Sequence, residues 1–573
     1  MRRGLATLLG LLLIFGLSAV AFAGPGSVVI KTDGDITATF GGQVRLIPTY
    51  EQNWDFGISQ TAFGKANPIV GANALGRIFL NHLNEAGVVC CGYIRSEDRL
   101  YFNFAKGDIW DVYMALEFDD VLSSRTVDRS NQTQGDFNSF GLERLNASIK
   151  LPWISSRLHA GWDIYGVDTD TVLLVYADDD PGFWLKGGVA NVDWQFGYHK
   201  KDEANRRIIF PSIAGTPAAI TVNNLTNTGY DNDRDIYSAR INFSPTKDIK
   251  LGLLYTYDRM AIRVLLATGD PCQFLPPPNP RSIIGNPCPN VNSHHIGPVV
   301  TANLAGFKFT GQYVYQFGQA GNTGITNAAV TDINNANYDI DAQAFLLDLA
   351  YDLTPFVGFR LVPHVGVLYA SGDDNPRDNK LQGYVGNVDG QRFTPIFGGE
   401  NTILGDFNLV VGTNLYSFIP NLRGNQHAGL VTGGLLNNGR GDSPGLLLVG
   451  GGVTVAPLAN VVYRTNAYYL RYDEKPCVNP AVVEVPVLTA PLPCPASPNS
   501  AFVNSKEVGV GWDNEVMVWL DKNMVVKGQF SFLFPGDAIR DITTITTRTA
   551  ASPGGQAVDE TAIRLALEFL WNF

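Results

Sequence analysis

The last thirteen residues, Thr561 to Phe573, constrain the fold of this chain more than any other stretch. They read TAIRLALEFLWNF, and every second residue puts Ile563, Leu565, Leu567, Phe569, Trp571 and Phe573 on one side. Ala562, Arg564, Ala566, Glu568, Leu570 and Asn572 fall on the other. That is the two-residue period of a β-strand with one apolar face and one small or polar face. An uninterrupted apolar ladder closed by aromatics suits a transmembrane barrel, whose strands turn one face to lipid and the other to the lumen.

The pattern recurs. Leu100, Phe102 and Phe104 lead into a turn at Lys106-Gly107-Asp108. Trp110, Val112, Met114, Leu116 and Phe118 run back opposite Asp111, Tyr113, Glu117 and Asp119. Five large apolar residues facing away from three carboxylates call for lipid on one side and water on the other. Similar alternation marks Leu145 to Ile164 around Pro152, Val192 to Tyr198, Tyr237 to Tyr257 and Phe307 to Phe317. A first strand runs from Gln43 to Glu51, with Pro48 predicting a gap in its ladder or a bulge. Tight turns alternate with long polar segments such as Arg259 to Ser293, Gly318 to Asp339 and Asp473 to Ser505, as periplasmic turns alternate with outer loops. At roughly 9 to 11 residues per strand, the chain is predicted to be all-β, a single antiparallel up-and-down barrel of about 18 strands (16–20). The last strand is expected to close it against the one near Gln43.

Bulk properties agree. Residues 1–23 have the parts of a cleaved export signal: Arg2 and Arg3, an apolar run from Leu8 to Phe15, and Ala21-Phe22-Ala23. Residues 24–573 are then the barrel domain. Of 42 basic side chains, removal of the two leader arginines leaves 40 against 54 acidic ones, a net charge of −14 that argues against nucleic acid as a partner. Beyond the leader no run approaches the roughly 20 apolar residues of a helical span, so any membrane crossing must be made by strands.

Four of the six cysteines lie in two proline-rich loop segments. Cys272 with Cys288 and Cys477 with Cys494 are disulfide candidates for an exported chain, while Cys90 and Cys91 stay open between a vicinal bridge, free thiols and partners in other loops. Motifs for chemistry are weak. Asp178-Asp179-Asp180 and Asp373-Asp374 read as solvated loop carboxylates rather than a calcium site. His294-His295 reads as a loop pair without a third ligand. Gly441-Asp442-Ser443-Pro444-Gly445 has a proline where a nucleophile elbow needs a backbone N–H. No enzyme, metal or cofactor is predicted.

Three stretches carry more than a generic barrel: Tyr369-Ala370-Ser371-Gly372-Asp373-Asp374, then Phe393-Thr394-Pro395-Ile396-Phe397-Gly398, and late in the chain Phe532-Leu533-Phe534-Pro535-Gly536-Asp537. In order and spacing to the C-terminus they resemble the alginate-export porin family of the bacterial outer membrane. The resemblance implies a monomeric 18-strand barrel passing an anionic polysaccharide through a lumen rich in arginine and lysine. The terminal Phe573 likewise looks like the signal read by the barrel-assembly machinery.

By strand parity the basic pore-lining candidates are Arg45, Arg99, Arg144, Lys150, Arg157, Arg240, Lys308, Arg360, Arg464, Lys527 and Arg564. The acidic ones are Asp111, Glu117, Asp163, Glu515 and Glu568, joined by Glu51, Asp193, Asp258 and Asp513. Eleven against nine makes a mixed lining, so the function read from sequence is an outer-membrane channel for a hydrophilic solute, an anionic carbohydrate being one candidate. Its partners would be outer-membrane lipid and that solute. The alternative is a barrel that sheathes a partner such as an extracellular electron-transfer cytochrome.

Overall fold

A computed structural model describes residues 27–31, 35–53, 56–57, 91–122, 140–171, 174–178, 180–202, 234–261, 290–321, 337–375, 378–388, 402, 444–478, 501–549 and 552–573. Eighteen strands form the wall: Ile36–Gln52 (β1), Cys91–Lys106 (β2), Trp110–Val121 (β3), Phe140–Leu151 (β4), Ser156–Trp162 (β5), Pro181–Val189 (β6), Val192–Asp202 (β7), Arg234–Thr246 (β8) and Ile249–Ala261 (β9). They continue as Asn290–Leu304 (β10), Phe307–Gly321 (β11), Tyr338–Tyr351 (β12), Arg360–Ala370 (β13), Leu446–Leu458 (β14), Val461–Arg471 (β15), Glu507–Asp521 (β16), Met524–Pro535 (β17) and Ala562–Asn572 (β18). Each pairs antiparallel with its neighbour in sequence, and β18 pairs with β1 (Gln43 opposite Asn572, Gln52 opposite Ile563), so the sheet closes on itself. The predicted count and closure both hold. Closure matters because it leaves no unpaired edge in a medium that cannot hydrogen-bond one.

Strand ends obey local chemistry. Ala305 and Gly306 between β10 and β11 both take positive φ, 50° and 88°, as the tight primed hairpin turn requires. Pro48 lies within β1, which is longer than Gln43 to Glu51, and β18 pairs with β1 up to Leu46 and again from Thr49. The missing partners flank the proline, which has no N–H to give. At the seam the Gly42 N–H donates to the Phe573 carbonyl (2.8 Å) and the Phe573 N–H to the Gly42 carbonyl (2.9 Å). A Cβ at Gly42 would collide with the Phe573 ring, which accounts for the glycine. Beyond the end of β18 the short strand Val28–Lys31 pairs with Thr37 to Phe40 of β1 and prolongs the wall.

Outward residues such as Phe104, Leu142, Phe183, Ile241, Leu253, Val365, Trp512 and Leu567 are exposed over the outer surface. A broad apolar exterior with a polar interior is the reverse of a soluble sheet and fits a lipid-facing band. Among the described residues no helix is long and apolar enough to cross a membrane. One sequence expectation is corrected here: His294 and His295 are not in a loop but in β10, His294 outward and stacked between Tyr257 and Phe317, His295 buried on the inner face. The leader, Cys90, Cys272, Cys288 and Cys494 lie outside the described residues, as do the side chains of Cys91 and Cys477, so both disulfide expectations fall there too.

Candidate channel interior

One half of the inner wall is a ladder of ion pairs. Arg45 of β1 meets Glu97 of β2 and, across the seam, Glu568 of β18 at 3.1 Å. Glu568 also accepts from Lys527 of β17 at 2.7 Å. On the other side Arg99 reaches Glu97 (2.6 Å), Glu143 (2.9 Å) and Glu117, and Arg144 reaches Glu143 (2.8 Å) and Asp163 (3.8 Å). Arg95 pairs with Asp119 at 2.7 Å, Arg564 with Glu51 at 3.4 Å and Arg464 with Glu515 at 3.2 Å. The ladder therefore runs from β15 through β18 and the seam to the end of β5. Buried charges persist only when paired and hydrogen-bonded, and here nearly every one is.

The other half carries fewer charges, the buried pair Arg234–Asp258 (2.7 Å) among them, and is filled around an apolar cluster. Ile236, Leu254, Val299, Val314, Ala342, Ala344, Leu346, Leu368, Leu446 and Leu448 face inward from β8 to β14 and are buried in one cluster with Val167, Leu174, Val175 and Tyr176. Those last four belong to the connection between β5 and β6, whose described residues, 163–171, 174–178 and 180, fold into the barrel. The carboxylate of Asp168 organises it, accepting the N–H groups of Leu174 (2.8 Å), Val175 (3.0 Å) and Tyr176 (3.4 Å) and the Gln312 amide of β11 (2.8 Å). Burial pushes Asp168 above the usual carboxylate range against the pull of those donors. Asp170 ties the segment to the wall through Arg240 and Lys250 (3.7 Å).

Tyr165 stacks on His199 at 4.3 Å and shares a hydrogen bond with Ser238 at 3.0 Å. A second inward stretch, around Tyr384 and Val385, donates its tyrosine hydroxyl to the Leu174 carbonyl (2.7 Å) and its Val385 N–H to Gln316 (3.0 Å). Near the end of the barrel that bears the long connections, the helix Asp537–Thr546 (α1) packs Ala538, Ile539, Ile542 and Ile545 into the same core. Asp541 on its other face accepts the N–H groups of Asn504 (2.6 Å) and Ser505 (3.1 Å).

Most of the remaining charged candidates sit near the short-turn end, whereas Asp258 pairs with Arg234 toward the long-connection end at 2.7 Å. Arg157 pairs with Asp111, and Lys150 with Asp108 of the β2–β3 turn. The Lys150 hydrogen bond and charge hold Asp108 below the usual carboxylate range. Lys308 and Arg360 open β11 and β13 at the rim. Sequence reasoning missed Arg95, Glu97, Glu143, Asp168 and Asp170. Glu97 and Arg95 fall in the first half of β2, which alternates less cleanly than the stretch from Arg99. Glu143 and Arg144 both point inward because the β3–β4 register shifts between Ala115 and Leu116, a bulge that simple parity does not register.

Of the three stretches singled out in the sequence, Phe393 to Gly398 lies outside the described residues and the other two do structural work. Ser371 and Gly372 follow β13, where Gly372 is closed in by Pro444 and its N–H donates to Asp473 at 2.9 Å. Gly536 follows β17, is closed in by Glu507, and gives way to α1. The class these features define is a closed, lipid-facing 18-strand barrel with an inward-folded connection.

No family model matches the chain, and no curated protein does. Among solved structures it is similar to Salmonella typhi OmpF in complex with daunomycin (8% identity, TM-score 0.35, covering 95% of this chain and 100% of that one). It is also similar to OccK5 (OpdH) of Pseudomonas aeruginosa (9%, 0.40, 94% and 98%) and to OpdQ of the same organism (10%, 0.39, 94% and 97%). Strand pairing, rather than these distant likenesses, defines the barrel.

Proposed function

We propose that the chain is a bacterial outer-membrane channel that passes a hydrophilic solute passively, with its short turns in the periplasm and its long connections outside. The observation that carries this reading is the ion-pair ladder, which keeps half of an 18-strand inner wall polar beside a segment folded inward. Barrels of 16 to 18 strands are wide enough to hold an aqueous path, and an inward connection narrows it. A polar lumen beside the ladder also explains why paired charges stand where a sealed core would carry leucine. Transport then involves no bond chemistry.

Most lumenal cations meet carboxylates, so the lining is mixed in sign. An anionic carbohydrate is the finer candidate from the family resemblance, and Lys308 and Arg360 at the short-turn rim are the cations that a solute entering from the periplasm would meet first. The core formed by the inward connection counts against a sheath, since it occupies space that an enclosed cytochrome would need. Planar-bilayer recordings on the refolded chain test the reading. Ion conductance with block by uronate polymers supports an anionic carbohydrate, and block by neutral sugars instead supports an uncharged one. A refolded barrel that carries no current overturns the channel.

A further inference from the structure

The inner faces of β12 to β15 hold a polar recess beside the apolar cluster. Asp348 of β12 stands opposite Gly366 of β13, which stands opposite Gly450 of β14. One step along, His364 of β13 stands opposite Gly452, which stands opposite Asn466 of β15. Three glycines thus floor a patch rimmed by a carboxylate, an imidazole and an amide. At Gly452 a Cβ would collide with Asn466 Oδ1, so the glycine lets the amide reach across β14. His364 Nε2 and Asn466 Oδ1 are 2.6 Å apart.

Charge placement at this recess needs an explanation. Asp348 is 2% exposed, and neither of its carboxylate oxygens has a hydrogen-bond partner among the described residues. His364 Nδ1 faces Asp348 Oδ1 at 3.5 Å. With Nε2 donating to Asn466, a neutral imidazole turns its Nδ1 lone pair toward the carboxylate, acceptor toward acceptor. A charge-assisted N–H···O bond would be about 2.7–2.9 Å long. Two ligands of one tetrahedral zinc, each roughly 2.1 Å from the metal, stand about 3.4 Å apart. The separation fits a shared cation better than a shared proton. The bond from Nε2 to Asn466 is the kind of outer contact that fixes the tautomer and orientation of a metal-binding histidine.

We infer that Asp348 and His364 form a binding site for a divalent transition-metal cation such as zinc on the lumen wall, oriented by Asn466 and made possible by Gly452. Among the described residues no third His, Cys, Asp or Glu joins the pair, so water or solute completes the coordination. Two protein ligands make it an exchangeable site rather than a permanent structural one.

Calorimetry of zinc chloride into the refolded full-length barrel tests this independently of conductance. The wild type is expected to bind one zinc per chain, and Asp348→Asn and His364→Ala to lose that binding. Asn466→Ala should weaken it roughly 10- to 100-fold. Copper substitution should give an electron-spin signature of a single imidazole nitrogen, absent in His364→Ala. Barrel integrity in each variant is read from its heat-dependent shift on a denaturing gel, and Asp348→Asn, being isosteric, keeps the test available if His364→Ala does not fold. Wild type that takes up no zinc means an imidazolium–carboxylate pair only and overturns the site. Folded variants that bind as well as wild type overturn it too. Zinc binding in a barrel that does not conduct supports the site while rejecting the channel.

Discussion

The inner walls of β15 to β5 and of β8 to β14 share one backbone plan and one alternation, yet they solve burial in opposite ways. The first keeps its charges and matches them pair by pair, as Arg45 does with Glu97 and Glu568. The second carries fewer charges, Arg234 with Asp258 and Arg240 with Asp170 among them, and fills its space with Leu346, Leu368, Leu448 and the inward residues Leu174 and Tyr176. A charged wall keeps water beside it, whereas an apolar wall inside a barrel needs chain to cover it. The inward segment is therefore tied to the apolar half, and the path for solute to the charged half.

Substitutions can break this contrast. Leu448→Lys puts an unpaired ammonium into the filled half, which should cost several kcal/mol and abolish the heat-stable folded band on a denaturing gel. Wild-type folding of that variant would mean that the two halves do not differ. Arg45→Ala leaves Glu97 and Glu568 short of a partner and should lower unfolding stability by about 3–5 kcal/mol, measured by urea titration in lipid vesicles. Adding Glu97→Gln to that variant, which leaves Lys527 its Glu568 partner and Arg99 its Glu117 and Glu143 partners, should recover most of the loss. Failure to recover would show that the pairing is not what Arg45 supplies.

Asp168→Ala removes the acceptor of three backbone N–H groups and should raise single-channel conductance and its noise without unfolding the wall. An unchanged conductance would detach the inward segment from pore size. The smallest effect is expected for Lys150→Met, which should return Asp108 to an ordinary titration by NMR. Because the pair lowers the Asp108 pKa, its stabilisation is present above the ordinary carboxylate range and lost as pH falls through the lowered value. In the exposed turn the shift should barely move unfolding stability.

The wall was legible because a strand that meets lipid must alternate, and the turns, strand count and closure follow from that one rule. Charged residues of the ladder were legible by the same parity wherever the strand limits were clear. The bulge at Glu143 and Arg144 escaped because one extra residue reverses parity. The filled half escaped for another reason: Ile340, Ala342, Ala344 and Leu346 face inward, so on β12 the inner face is apolar while Asp341 and Gln343 point out. Residues 163–180 escaped as well, because a connection with six aspartates reads as a surface loop until Asp168 is seen turned onto its own backbone.

The seam sets the order of events during assembly. Arg45 and Glu568 are 523 positions apart, so their contact cannot form until nearly all of the chain is present. Until then β1 and β18 both offer open edges, and joining them closes the longest possible loop of the chain. Closure is therefore the slow, late step, and an unfinished barrel is at risk of pairing with another copy. Phe573 seated on Gly42, with Val28–Lys31 alongside β1, acts as a latch that shuts only once the ring is whole.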